Sequence, residues 1–198
     1  RKVLDEEREG KFLGKTIQII PHITNEIKNN IKKAAKDSGC EIMMCEIGGT
    51  VGDIEGLPYL EAIRQMRNEL GAENTLFVHL TLLPYLGGSK ELKTKPTQAS
   101  VRELRAIGIQ PDLIIARADH PIKKEHIKKI SLFCDVPETH VIPAQTVSSI
   151  YEVPLNYEEY NVSSLIAEKL NLGKIKPEMK DWKSLVEKIK ANKPKLRI

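Results

Sequence analysis

The chain has 198 residues, 40% hydrophobic, 29% charged and only 5% aromatic, and its 31 basic and 27 acidic side chains leave a net charge of +4. That length and balance suit a globular domain with a real core, and no apolar run approaches the ~18–20 residues of a membrane-spanning helix. Lys28, Lys32, Lys33 and Lys36, and again Lys123, Lys124, Lys128 and Lys129, stand beside Glu26, Asp37 and Glu125 with few aromatic residues near; this is a solvated helix face, not a nucleic-acid surface.

Neither a membrane nor a nucleic acid is therefore expected as partner, and a polyanionic small molecule such as a nucleotide stays open. Cys40, Cys45 and Cys134 are odd in number and widely spaced, which fits neither a disulfide framework nor a zinc site. Buried thiols in a reducing cytosol, and so a cytoplasmic protein, are the expectation. The chain opens on Arg1 and stops within Lys195-Leu196-Arg197-Ile198, a run suited to opening a strand. It reads as a segment of a longer polypeptide.

In chain order, Thr16–Ile20 is a short β-branched run closed by Pro21 and His22. Thr24 is placed to cap a helix bearing Ile27, Ile31, Ala34 and Ala35 on one face, with Gly39 ending it. Ile42–Ile47 reads as a strand covered on both faces. Leu60, Ile63, Met66 and Leu70 mark a helix ended by Gly71, and Thr75–Leu82 a further strand. A long loop from Leu83 to Pro96 precedes a helix at Val101, Leu104 and Ile107, closed by Gly108. Leu113–Arg117 is an apolar strand, Ile127, Ile130, Leu132 and Phe133 mark a helix, and His140–Ile142 a short edge strand. Gly173–Lys180 is a connector, and Asp181 caps a helix with Trp182, Leu185 and Ile189 on one face, stopped by Ala191–Pro194. That last helix is either an interdomain linker docked through Trp182 or a helix packed on its own domain. The alternation predicts an α/β fold, a mostly parallel sheet with helices on both faces.

Two loops can carry chemistry. Glu46–Glu55 (EIGGTVGDIE) places Glu46 at the carboxyl end of an expected strand, where open α/β sheets hold ligands. Three glycines and the carboxylates of Asp53 and Glu55 follow it. Fixed oxygens beside close-approaching backbone suit a hard cation with a phosphate ester; a solvated acidic turn is the other reading. Lys93–Gln98 (KTKPTQ) offers two ammonium groups, two hydroxyls and an amide ahead of a helix whose N-terminus suits a phosphate. The other reading is a basic surface loop in which Thr97 only caps the helix. Arg117 ends its strand beside Asp119 and His120 and suits either a ligand or an ion pair with Asp119. Of Lys128 and Lys129, one is expected to face inward or towards a neighbouring site. His22 and His79 are assigned packing roles. No Walker A loop, nucleophile elbow, EF-hand or HExxH occurs.

Ordered blocks run the length of the chain: IQIIPHIT at 17–24, EIGGTVGDIEGLPYLEAIRQ at 46–65, HLTLLPYL at 79–86, ELKTKPTQ at 91–98, ELRAIGIQPDLIIAR at 103–117, KKISLFCDVPE at 128–138 and SIYEVP at 149–154. In these the chain resembles the synthetase (amidoligase) domain of the CTP synthase family. The resemblance implies a P-loop NTPase fold like that of dethiobiotin synthetase, whose Walker A portion lies upstream of Arg1. It also implies a C–N ligase that uses ATP to phosphorylate the uracil O4 of UTP and lets ammonia displace the phosphate, giving CTP. Residues 1–172 would be the synthetase domain and 173–198 a linker helix leading to a C-terminal glutaminase domain that supplies ammonia from glutamine.

By the same resemblance, Glu46 binds Mg²⁺, and Asp53, Ile54 and Glu55 contact CTP bound as feedback inhibitor. Lys93, Thr94, Lys95, Pro96, Thr97, Gln98 and Lys129 hold the triphosphate of UTP or CTP. Gln145, Thr146 and Val147 lie near the ATP adenine, and Arg117 near the ATP phosphates. The family's nucleotide pocket forms between subunits of a homotetramer. No catalytic residue is assigned in this segment, which alone would be inactive. His120, Lys90 and Gln145 depart from residues common in the family. A pyrimidine-nucleotide-binding fragment without catalysis, or another P-loop amidoligase, are the alternatives; the triphosphate-suited KTKPTQ loop speaks against the second.

Overall fold

Helical periodicity accounts for the first elements of the computed structural model, which describes residues 1–191. The strand-opening run at Lys195–Ile198 and the helix stop at Asn192–Pro194 lie outside the described residues. The chain divides into two compact units, Arg1–Thr75 with Arg102–Gln110, and Leu76–Val101 with the residues from Pro111 onward.

The first unit is helical. It carries α1 (Lys2–Arg8), α2 (Thr24–Ser38) and α3 (Leu57–Leu70). Gly39 closes α2 in the left-handed region and Gly71 follows α3, as the sequence predicts. The α2–α3 contact is held by polar clamps as well as apolar faces. Lys28, with 8% of its side chain exposed, puts its ammonium 2.5 Å from Glu69 Oε1, and Lys32 reaches the other oxygen at 2.6 Å. Within α3, Arg64 donates to both oxygens of Glu61 at 2.8 and 2.7 Å, and Gln65 adds a third bond. The Arg64 guanidinium is the main reason that the Glu61 carboxyl is lowered to about 2. Gly108 closes the 102–110 segment at φ +93°, with its N–H on Arg105 O and the Ile109 N–H on Leu104 O. This paired closure favours glycine, the one residue without steric cost there.

Three expectations for this unit are corrected. Neither Thr16–Ile20 nor Ile42–Ile47 forms a strand; residues 19–23 make a wide helical turn with a cis Ile20–Pro21 bond, and 41–47 is irregular. A strand exists only through a ladder partner, and neither run has one among the described residues; Met44 is 89% exposed instead of covered. Thr24 does not cap α2, because its hydroxyl donates to Pro21 O at 3.1 Å. Cys40 and Cys45 are exposed, so only Cys134 of the three thiols is buried.

The second unit is α/β. Strands β1 (Val78–Leu82), β2 (Tyr85–Leu86) and β3 (Glu91–Leu92) lead to α4 (Lys95–Ala106), β4 (Leu113–Ala118), α5 (Lys124–Cys134) and β5 (Val141–Gln145). Three short helices finish it: α6 (Val153–Glu159), α7 (Val162–Lys169) and α8 (Lys180–Lys190). The sheet is parallel, in order β1-β4-β5, with Leu80 opposite Ile115 and Ile115 opposite Ile142. The expected α/β class with a parallel sheet is thus the one adopted. β4 is central and nearly all buried, and Leu83, Leu92, Val101, Ile130, Cys134, Val136 and Val141 surround it in the core.

Here too some readings change. The expected loop from Leu83 to Pro96 contains the antiparallel ribbon β2–β3 and the first residues of α4. On α5 the packed face is Ile127, Ile130 and Cys134, while Leu132 and Phe133 are exposed; the stripe therefore follows i, i+3, i+7. Asp181 lies in the first turn of α8, not at its cap. That helix packs on its own unit. Trp182 Nε1–H donates to Tyr151 O at 2.8 Å, and Lys190 pairs with Glu152 at 2.8 Å.

Candidate functional site

In the first unit, the glycine loop is organised by one of its own carboxylates. Asp53 Oδ2 accepts the Thr50 N–H at 3.0 Å, and the Asp53 N–H returns to Thr50 O at 3.0 Å. Gly49 stands at φ +90°, a conformation that favours glycine. Half of Asp53 is thereby spent on shaping the loop. Ile54 and Glu55 project from the short turn that leads into α3, both exposed. Glu46 is exposed, with both carboxylate oxygens just under 4 Å from the place of a Gly48 Cβ. It follows the irregular run 41–45, not a buried strand as expected.

No group of three His, Cys, Asp or Glu that could hold a metal occurs among the described residues. A lone exposed carboxylate nevertheless suits Mg²⁺, which takes one or two carboxylates and completes its shell with water and phosphate oxygens. A single carboxylate at Glu46 is compatible with that ion and supplies too few donors for zinc.

In the second unit, the KTKPTQ loop joins β3 to α4. Pro96 sits in the first turn of α4, where its missing N–H costs nothing. Thr97 is 1% exposed and donates to Thr81 Oγ1 on β1 at 3.0 Å, so it is neither a solvent-facing hydroxyl nor a cap. Thr94, just before the helix, is buried and accepts from Gln98 Nε2 at 3.0 Å. The charged groups that reach the surface are Lys95 and, in part, Lys93, while the Gln98 N–H bonds Thr94 O at 3.0 Å. Lys93 is not idle: it is ion-paired with Glu91, and its backbone N–H bonds Pro84 O at 2.9 Å. Glu91 also feels the charge of Lys129. Lys128 and Lys129 are both exposed, so neither faces inward.

A second pair ties α4 to β1. His79 Nε2 lies 3.0 Å from Ser100 Oγ, and burial lowers the His79 pKa. Residues 79 and 81 share one face of the strand, and 97 and 100 one face of the helix. β1 thus buries its polar residues and exposes Val78, Leu80 and Leu82, the reverse of an ordinary strand.

The carboxyl ends of β4 and β5 bring the remaining residues together. Arg117 is opposite Ala144, and Ala118 opposite Gln145. The Thr146 N–H bonds Ala118 O at 2.9 Å, and its hydroxyl donates to Asp119 Oδ1 at 2.6 Å. Asp119 therefore serves Thr146, not Arg117; the Arg117 charge instead acts on Tyr157, whose pKa burial raises. Gln145 is exposed and Val147 half-buried. His120 stacks on Tyr85 at 3.7 Å and 29°. Sequence reasoning missed the Tyr85–His120 and Thr81–Thr97 pairs, which are long in sequence. It also missed Glu91, whose signal was present: residues two apart in an extended run share a side, so Glu91 and Lys93 were bound to meet.

Comparison with known proteins places this chain in one family. A profile described as "CTP synthase N-terminus" matches residues 1–172. The chain is 54% identical over 196 residues to "CTP synthase" of Roseiflexus sp. (strain RS-1), covering 99% of this chain and 35% of that protein. It is 54% identical over 197 residues to "CTP synthase" of Dehalococcoides mccartyi (strain BAV1), covering 100% and 36%. A third match, "CTP synthase" of Symbiobacterium thermophilum, is 52% identical over 189 residues, 95% of this chain and 35% of that one. The chain spans about a third of the length of the curated relatives it matches. No helix among the described residues is long and apolar enough to cross a membrane. With 172 of its residues under one family profile and half of its positions shared with each of these proteins, this chain belongs to the CTP synthase N-terminus family.

Proposed function

We propose that the chain serves an ATP-dependent amination of UTP to CTP, in a protein that draws ammonia from glutamine through a glutaminase domain on the same polypeptide. Residues 1–172 are the synthetase part and 173–198 the link to that domain. The working protein is a cytoplasmic homotetramer. The observation that carries the reading is the start of α4. Lys93 and Lys95 stand together there, at the first turn of α4. Such a pair of cations at a helix N-terminus suits the triphosphate of UTP or CTP.

Within that reading, Lys93, Lys95 and Lys129 neutralise phosphate charge. Thr94, Pro96, Thr97 and Gln98 hold the loop in shape, since both hydroxyls and the amide are engaged internally. Ile54 and Glu55 are the outward contacts for CTP as inhibitor, on a loop that Asp53 shapes. Glu46 would take Mg²⁺, which when bound offsets the charge that develops in phosphoryl transfer. Gln145, Thr146 and Val147 meet the adenine of ATP through backbone groups, because the Thr146 hydroxyl already serves Asp119. Arg117 attends the ATP phosphates from the end of β4.

The test is CTP formation from UTP, ATP and Mg²⁺ by the full-length protein, with ammonium as nitrogen donor so that glutamine hydrolysis is bypassed. CTP should form, and Lys95→Ala should weaken UTP and CTP binding alike while the protein stays folded. No CTP from a folded protein would refute the reaction. Intact nucleotide affinity in Lys95→Ala would return the loop to a basic surface turn.

A further inference from the structure

One of the three lysines assigned to triphosphate, Lys93, is already ion-paired with a protein carboxylate, and this inference rests on that assignment. We propose that Glu91 is the resident counter-anion of the KTKPTQ loop: its carboxylate holds the Lys93 ammonium in the free protein, and an incoming triphosphate must displace it.

The chemistry follows from the backbone. Glu91 lies on β3, paired across the ribbon with Leu86, and the alternation of an extended chain turns Glu91 and Lys93 to the same side. They form an ion pair. A side-chain bond with Ser89 and the charge of Lys129 on α5 also stabilise the ionised Glu91. The backbone of Lys93 is pinned to Pro84 O at 2.9 Å, which fixes the root of the side chain beside Glu91. No other ion pair engages Lys93, Lys95 or Lys129 among the described residues.

A carboxylate carries one negative charge, whereas a triphosphate carries several and offers more acceptor oxygens to the same ammonium. Exchange therefore favours the triphosphate, but each binding event first loses the Glu91–Lys93 pair and then sets a carboxylate beside the new anion. Glu91 thus weakens every ligand that takes Lys93, and falls hardest on ligands with too little charge to compensate. It is a specificity-determining residue, and it acts through Lys93.

The experiment is UTP and CTP binding by calorimetry, without ATP, in the full-length protein and in its Glu91→Gln, Glu91→Ser, Lys93→Ala and Glu91→Gln/Lys93→Ala variants. An exposed pair has modest strength, so Glu91→Gln and Glu91→Ser should bind UTP roughly two- to fivefold more tightly than the parent. In the Lys93→Ala background the same change should have at most a minor effect, since there is no pair to break. A misfolded variant cannot mimic tighter binding. Unchanged or weaker binding in both single variants would overturn the proposal. So would an equal gain with and without Lys93, which would make Glu91 a general field charge. If the parent binds neither UTP nor CTP, the functional reading fails and not merely this refinement of it.

Discussion

Thr97→Val tests whether the phosphate loop is held by a buried polar seam. Thr97 is 1% and Thr81 7% exposed, and their hydroxyls lie 3.0 Å apart with no solvent to replace either. Valine keeps the shape and β-branching, so the change removes the bond and little else. It leaves the Thr81 hydroxyl buried without this partner, at a cost of about 1–3 kcal/mol. Replacing both residues by valine removes the orphan and should be close to neutral, so the two substitutions couple by about 1 kcal/mol or more. Amide hydrogen exchange of α4 peptides in the full-length protein reads this directly. At about 1.4 kcal/mol per tenfold, the single variant should exchange roughly 5- to 150-fold faster there. Because the same turn presents Lys95, UTP affinity should fall in the single variant and return in the double. Parent-like exchange in Thr97→Val, or a double variant that costs the sum of the singles, would show that the seam does not hold the loop.

Two more outcomes follow. The Glu61 carboxyl sits at about 2 against 4.5, chiefly through Arg64. A depressed folded-state value contributes stability above the ordinary carboxylate range and loses it as pH falls from about 4.5 towards 2. Acid unfolding should therefore steepen in that window, and Glu61→Gln should flatten it; an unchanged acid limb would assign the transition to other carboxylates. Glu46→Gln keeps the shape and removes the charge that would face Mg²⁺. It should reduce ammonium-dependent CTP formation by at least a hundredfold without a shift in unfolding temperature, and near-normal turnover would exclude Glu46 as a metal ligand.

The sequence alone determined the features that depend on neighbours in the chain. The stops at Gly39, Gly71 and Gly108, the span of β4 and the existence of a helix through Val101 and Leu104 follow from local backbone preferences and periodicity. The family, too, was legible in ordered motifs. The tertiary structure decided what depends on partners remote in sequence. The apolar runs at 16–20 and 42–47 have strand composition but form no ladder, because pairing is a property of two segments and not of one. His79 and Thr81 look misplaced on a strand until α4 supplies Ser100 and Thr97 to satisfy them. Thr94 and Thr97 read as ligand donors in a string of letters; the structure buries both, and their hydroxyls and the Gln98 amide bond one another or Thr81. That left Lys93 and Lys95, whose charges no core can take without a counter-charge, nearer the surface of the loop.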